Sequence, residues 1–290
     1  MEKYKQKLET YRLAVESYLG SCFTEESLPQ KLLFDSMRYS LLAGGKRIRP
    51  VLTLEFSNIC GADWKKSMPF AAAIEMVHTY SLIHDDLPCM DNDDYRRGRL
   101  TNHKIFGDAI AVLAGDALLT AAFETISAAD APADICMKAI KILSEASGEL
   151  GMVGGQVLDM EGEKRTLTSD EVYQIHRLKT GCLISAACRM GVAAAGGTEE
   201  QMNAASVYAD SLGMAFQIRD DMLDVLGDAK KLGKATHMDE QKTTFVDLYG
   251  IETCAKLIAD ETEKAINALC VFEDTSFLTQ LAKNMAIREF

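Results

Sequence analysis

The sequence predicts an all-α protein, a single-domain helical bundle, and three observations carry that expectation. Apolar residues recur at helical spacing in long segments, strict period-2 alternation is nowhere sustained, and only five prolines punctuate 290 residues. A hydrophobic fraction of 48% with 7% aromatic residues suits a core of Ala, Leu, Met and Ile. No internal repeat and no low-complexity linker divides the chain, so residues 1–290 are read as one domain.

In order, Tyr4, Leu8, Tyr11 and Val15, with Tyr18 or Leu19, mark one face of an amphipathic helix from Lys3 to Leu19. Ser27-Leu28-Pro29 opens a second helix carrying Leu32, Leu33, Met37, Leu41 and Leu42, and Gly44-Gly45 closes it. Lys46, Arg47, Arg49 and Pro50 lead into another apolar segment through Ile59. Helix-length segments follow at about 68–87, 107–128, 133–153, 169–195, 199–226 and 244–270, with a last from about 275. Ala109–Phe123 and Leu183–Ala195 show little polar face, which places both in the centre of the bundle.

The totals narrow the function. With 31 Lys+Arg against 43 Asp+Glu the net charge is −12, which argues against a nucleic-acid partner. An acidic ligand remains compatible if divalent cations bridge it to the protein. The eight cysteines show no C-x-x-C spacing and the start MEKYKQKLETYR has no signal-peptide pattern. Reduced thiols and a cytoplasmic location are therefore expected. Asp116 and Arg189 break the longest apolar runs short of the ~18–20 residues of a membrane span, so no transmembrane span is expected.

Two acidic clusters stand out. In a helix over 199–226, Asp220 and Asp224 lie one turn apart on one face, with Gln217 a turn earlier. Like charges at that spacing repel, and a cation between them relieves the repulsion. The approach Leu212-Gly213-Met214-Ala215-Phe216 is apolar, unlike a solvated acidic end. Asp85 and Asp91 would not share a face of a continuous helix, being separated by roughly 240° of rotation. Pro88 lacks an amide donor and clashes with the carbonyl of His84, so the helix can end near Leu87 and a loop can carry Asp91 back. Oxygen-only ligands suit Mg²⁺, usually completed by waters and substrate phosphates. His78 and His84 offer no paired set with another His or Cys, which argues against zinc.

The basic residues sit at breaks: Lys46, Arg47 and Arg49 behind Gly-Gly, Arg96 and Arg97 after the first acidic cluster, Lys179-Thr180 within an apolar helix, Lys234 after the second cluster. Forked guanidiniums and point-charge lysines are suited to a diphosphate. The oily surroundings call for a substrate with a greasy remainder.

GGKRIRP (44–50), HTYSLIHDDLPCMD (78–91), RRGRLTNHK (96–104), GGQ-V-L-D (154–159), Lys179-Thr180 and FQIRDDMLD (216–224) together resemble the trans-isoprenyl diphosphate synthases. The likeness is strongest to the short-chain bacterial farnesyl diphosphate synthases and covers essentially the whole chain. It implies the isoprenoid synthase fold, an all-helical bundle around a deep central cavity, and a homodimer, which is implied by the resemblance alone. The implied activity is head-to-tail condensation of isopentenyl diphosphate with dimethylallyl and geranyl diphosphates.

By the same resemblance, Lys46, Arg49, His78 and Arg97 hold isopentenyl diphosphate. Asp85, Asp91, Asp220 and Asp224 hold three Mg²⁺ on the allylic diphosphate, supported by Asp86 and Asp159. Arg96, Lys179 and Lys234 contact that diphosphate, with Thr180 and Gln217 near the allylic carbon. Tyr80 and Ser81, about one turn before Asp85, are expected to floor the hydrocarbon pocket and limit product length to farnesyl. After Gly233-Lys234 the sequence ATHMDEQKTTF departs from the family pattern: His237 replaces a glycine and Lys242 arrives about two residues early. The competing readings are a geranyl or geranylgeranyl synthase, a terpene cyclase, which the intact Asp220-Asp221-x-x-Asp224 motif disfavours, and a catalytically silent synthase subunit, which both intact motifs disfavour.

Overall fold

The computed structural model describes residues 2–25, 27–226 and 243–287. Helix α1 (Glu2–Gly20) buries Tyr11, Val15 and Leu19, the stripe its spacing prescribes. Helix α2 (Lys31–Leu41) is closed by Gly44 and Gly45 at φ +79° and +129°, conformations that favour glycine. Helix α3 (Ile48–Ile59) follows a left-handed Arg47. A short 3₁₀ turn, Trp64–Ser67, leads into α4 (Met68–Asp85), which has proline in its first turn, where a missing N–H costs nothing.

Helices α3 and α4 are buried around most of their circumference. Inside this layer Arg47 is buried and donates to Glu16 at 2.8 Å, Glu75 at 2.6 Å and the Leu41 carbonyl at 2.7 Å. It ties α1, α2 and α4 together, and removing Arg47 would deprive the buried Glu75 carboxylate of its paired cation.

After α4 the chain makes a small antiparallel hairpin, β1 (Tyr95–Arg96) and β2 (Arg99–Leu100), whose two-residue strands are too short to show alternation. Its turn residues Arg97 and Gly98 have φ +53° and +74°, as a type I′ turn requires. Helix α5 (Asn102–Phe106) is anchored on α2 by Asn102, which donates to the Ser36 carbonyl and the Ser40 hydroxyl.

Helix α6 (Asp108–Ser127) packs along α4 through Ala111, Ala114, Gly115, Leu118 and Ala122. It is not the central helix that its composition led us to expect. Val112 is 38% exposed and Leu113 52% exposed, so one apolar face is uncovered. By length and composition α6 also reaches what a membrane crossing needs, despite Asp116. Helix α10 (Cys182–Ala194) does meet the expectation, packing on α3, α7 and α11.

Two predicted segments are divided. The first becomes α7 (Ala133–Ser147) and α8 (Met152–Gly162), separated at Gly148–Gly151. A Cβ on Gly151 would lie 2.2 Å from the Ala146 carbonyl oxygen, so the close turn needs glycine. The second becomes α9 (Ser169–His176), a π-helical turn at Arg177–Gly181, and α10. A capping box between Thr168 and Glu171 starts α9. The long α11 (Glu199–Leu226) packs against α12 (Phe245–Ala268), and α13 (Ser276–Ile287) completes the fold.

Candidate active site

The first acidic jaw forms where α4 ends. The Asp91 amide donates to the Asp85 carbonyl at 2.9 Å, and the Asn92 amide donates to the Leu87 carbonyl at 3.1 Å. The loop thus carries Asp91 back to the end of α4. Burial pushes the Asp85 carboxyl up to about 6, opposed by Lys179 and reinforced by Asp91. Asp86 is buried, and the Arg96 guanidinium donates to its Oδ1 at 2.7 and 2.6 Å. Arg96 is therefore already engaged with the acidic motif.

The hairpin also brings its neighbour to the glycine break. Arg97 donates to the Gly44 carbonyl, and its guanidinium packs so closely that a Cβ on Gly45 would lie 2.7 Å from it. Arg49 from α3 has a buried Nε without a partner. Burial lowers its pKa, against the pull of Glu75, and Arg97 lowers it further. His78 is held well below its ordinary value by burial and by Arg49, Arg97 and Arg96. Cations crowded this way, with an unsatisfied donor among them, favour an incoming anion. Lys46 is exposed and lines a cavity with residues of α1 and α13.

A cavity of ≈ 500 Å³ connects these groups to an oily end. Its polar side includes Arg49, His78, Asp85, Lys179 and Thr180; Tyr80, Ser81, Val112, Met152 and Val157 also line it. Tyr80 is 6% exposed, and burial with the nearby Asp85 pushes its phenol up to about 12.

The second acidic jaw borders a smaller cavity of ≈ 200 Å³ lined by Asp159, Lys179, Thr180, Gln217 and Asp220. Lys179 and Thr180 line both cavities, and the π turn positions them. Such turns occur frequently at functional sites. Gly155 backs this turn so closely that a Cβ there would lie 2.3 Å from the Lys179 nitrogen. Lys179 pairs with Asp159 at 2.7 Å. Asp221 is buried and accepts from the Phe245 amide at 2.8 Å, fixing the start of α12. Asp224 is buried with Oδ1 unpartnered. Lys234, His237 and Lys242 lie outside the described residues.

Sequence reasoning missed His176. It stands 3.1 Å from Gln217 through Nδ1, stacks on Phe245 at 5.4 Å between centroids, and approaches Asp221 at 3.9 Å. Its place one turn before Lys179-Thr180 was the available signal.

The oxygen donors fit a hard divalent cation, and the orphaned Asp224 oxygen fits one particularly well. Among the described residues no three carboxylates, imidazoles or thiols converge to hold a metal unaided. Substrate phosphates and water would have to complete its coordination.

The family model for polyprenyl synthetase matches residues 30–276. The chain is 48% identical to a farnesyl diphosphate synthase of Micrococcus luteus, covering 83% of each chain. It is 46% identical to a geranylgeranyl diphosphate synthase of Cyanophora paradoxa, covering 81% of each. A geranyltransferase of Helicobacter pylori, solved with magnesium and isoprenyl diphosphate, superposes with a TM-score of 0.82 at 34% identity, covering 99% of this chain and 96% of that one. The chain belongs to the polyprenyl synthetase family and is a short-chain trans-prenyltransferase.

Proposed function

We propose that this enzyme is a farnesyl diphosphate synthase, condensing isopentenyl diphosphate head-to-tail with dimethylallyl and then geranyl diphosphate in the presence of Mg²⁺. The observation that carries this reading is the ≈ 500 Å³ cavity, whose lining includes Asp85, Lys179 and Thr180 together with Tyr80 and apolar side chains. Relatives making either farnesyl or geranylgeranyl products are almost equally similar. Tyr80 supports the shorter product, because a bulky ring in the wall stops the growing chain.

Arg49, His78 and Arg97 receive the diphosphate of isopentenyl diphosphate, with Lys46 at the approach. Asp85, Asp91, Asp220 and Asp224 hold three Mg²⁺ on the allylic diphosphate, and Asp86 and Asp159 orient Arg96 and Lys179. When bound, magnesium supplies Lewis-acid neutralisation of the departing diphosphate. Arg96 and Lys179 add fixed positive charge, stabilising charge that grows in the transition state, and the family resemblance assigns Lys234 to the same diphosphate. Thr180 and Gln217 face the allylic carbon, and Gln217 is oriented by His176. The apolar wall excludes water from the allylic cation until the isopentenyl double bond attacks. The departing diphosphate takes the final proton, so the residues chiefly position and protect the reactants.

A homodimer is implied by the family resemblance, and it would cover Leu113 on α6, an exposed apolar residue that does not line the cavity. The decisive assay supplies Mg²⁺, isopentenyl diphosphate and, separately, dimethylallyl, geranyl or farnesyl diphosphate, and sizes the products. Farnesyl diphosphate from the first two, with no extension of the third, is expected. Efficient extension of the third would assign a longer-chain synthase.

A further inference from the structure

We propose that His84 is a positioning residue for product length: seated in a notch at Gly115, it holds the Tyr80 ring that ends the hydrocarbon cavity. This rests on the reading of Tyr80 as the cavity floor. His84 and Tyr80 lie one turn apart on α4, and their rings meet edge to face at 5.7 Å and 78°. The two side chains therefore share a wall, and both line the large cavity.

What holds His84 is on α6. Its Nε2 lies 3.1 Å from the Val112 carbonyl oxygen. A carbonyl only accepts, so Nε2 carries the proton and donates. The Asp116 carboxylate lies 3.9 Å from the same nitrogen, on the same helix. Gly115 makes this approach possible. A Cβ there would fall 2.1 Å from His84 Nε2, 2.5 Å from Cδ2 and 2.9 Å from Cε1. The imidazole occupies the volume that any other residue's side chain would need.

A chain of three contacts follows, from the backbone of α6 through the imidazole to the phenol ring. Val112, whose carbonyl accepts the hydrogen bond, also lines the cavity. The notch therefore sets the spacing of α4 and α6 at the cavity wall. His84 precedes Asp85, yet its ring is committed to α6. A ligand role for Nε2 would require breaking that contact.

The test is the ratio of prenyl products, measured with labelled isopentenyl diphosphate over long incubations so that a slow variant still gives a distribution. His84→Ala removes the ring that supports Tyr80 and opens space beside it. The fraction of product longer than farnesyl should rise by up to about tenfold, the scale of a lost aromatic contact. Gly115→Ala should expel the ring towards the cavity and enrich geranyl over farnesyl diphosphate. The double variant should resemble His84→Ala alone, because Gly115 acts through the ring. His84→Gln, whose amide can still donate to Val112, should restore much of the parent distribution.

Tyr80→Ala separates this inference from the reading beneath it. If Tyr80→Ala lengthens the product while His84→Ala and Gly115→Ala retain the parent ratio, His84 does not position the floor. If Tyr80→Ala leaves the product unchanged, the floor itself is misassigned and the inference falls with it. Loss of all product in both the His84 and Gly115 variants, with helicity intact, would also overturn it, since positioning requires redistribution.

Discussion

Asp85 and Asp91 come together because a helix ends between them, whereas Asp220 and Asp224 share a helix that continues through both. The first jaw is shaped by main-chain hydrogen bonds across the loop and partly countered by Arg96 and Lys179. In the second, Asp221 is committed to the start of α12 and Asp224 has an orphaned oxygen. The first is set before substrate arrives; the second retains an unmet electrostatic need. A cation brought with diphosphate would complete the second jaw more than the first.

The largest expected effect breaks either jaw. Asp85→Asn and Asp220→Asn should each reduce kcat/KM by about 10³-fold at saturating Mg²⁺, the scale of losing a group that stabilises transition-state charge. Steady-state kinetics checks this. Near-parental rates in either variant would remove that carboxylate from the metal set.

A pH series compares the first jaw with itself. Asp85 is raised to about 6 in the fold, against about 3.9 in an unfolded chain. The folded state holds its proton more tightly, so this contribution is complete below about pH 3.9 and is lost as pH rises through 6. The maximum loss is about 3 kcal/mol. Metal-free Asp85→Asn should therefore be more stable than the parent at pH 7.5, with the advantage shrinking towards pH 4. Denaturant melts at both pH values would expose a wrong sign.

The smallest effect tests whether the jaws are incomplete without ligand. Mg²⁺ alone should shift the thermal midpoint little, because no preformed three-ligand cluster exists among the described residues. Mg²⁺ with inorganic diphosphate should stabilise the fold by about 2.7 kcal/mol at a hundredfold excess over Kd. A comparable shift with Mg²⁺ alone would mean that the carboxylates already form a closed site.

Much of this architecture is legible in the residues. Pro88 and the period of the flanking segment point to a helix end that returns Asp91, and the loop hydrogen bonds show that return. The helical periods place most elements within a few residues. Other features depend on distant partners. Arg47 belongs to a basic motif, yet Glu16 and Glu75 draw it into the core, and nothing local announces that pairing. The α6 segment is apolar on all sides, but composition does not say which side meets α4. The hairpin is too short for a periodic signal, and the helical pattern runs unbroken across the π turn.

That π turn has a hereditary consequence. A π turn holds one residue more than the α-helical turn it replaces, so it behaves as a preserved insertion. Losing one codon between Arg177 and Gly181 would let α9 and α10 join in continuous phase. Lys179 and Thr180 would then rotate relative to both cavities while the hydrophobic core stayed largely intact. Selection on this short stretch therefore acts on reading length as much as on residue identity: a deletion that makes the helix more regular would leave a folded protein without its chemistry.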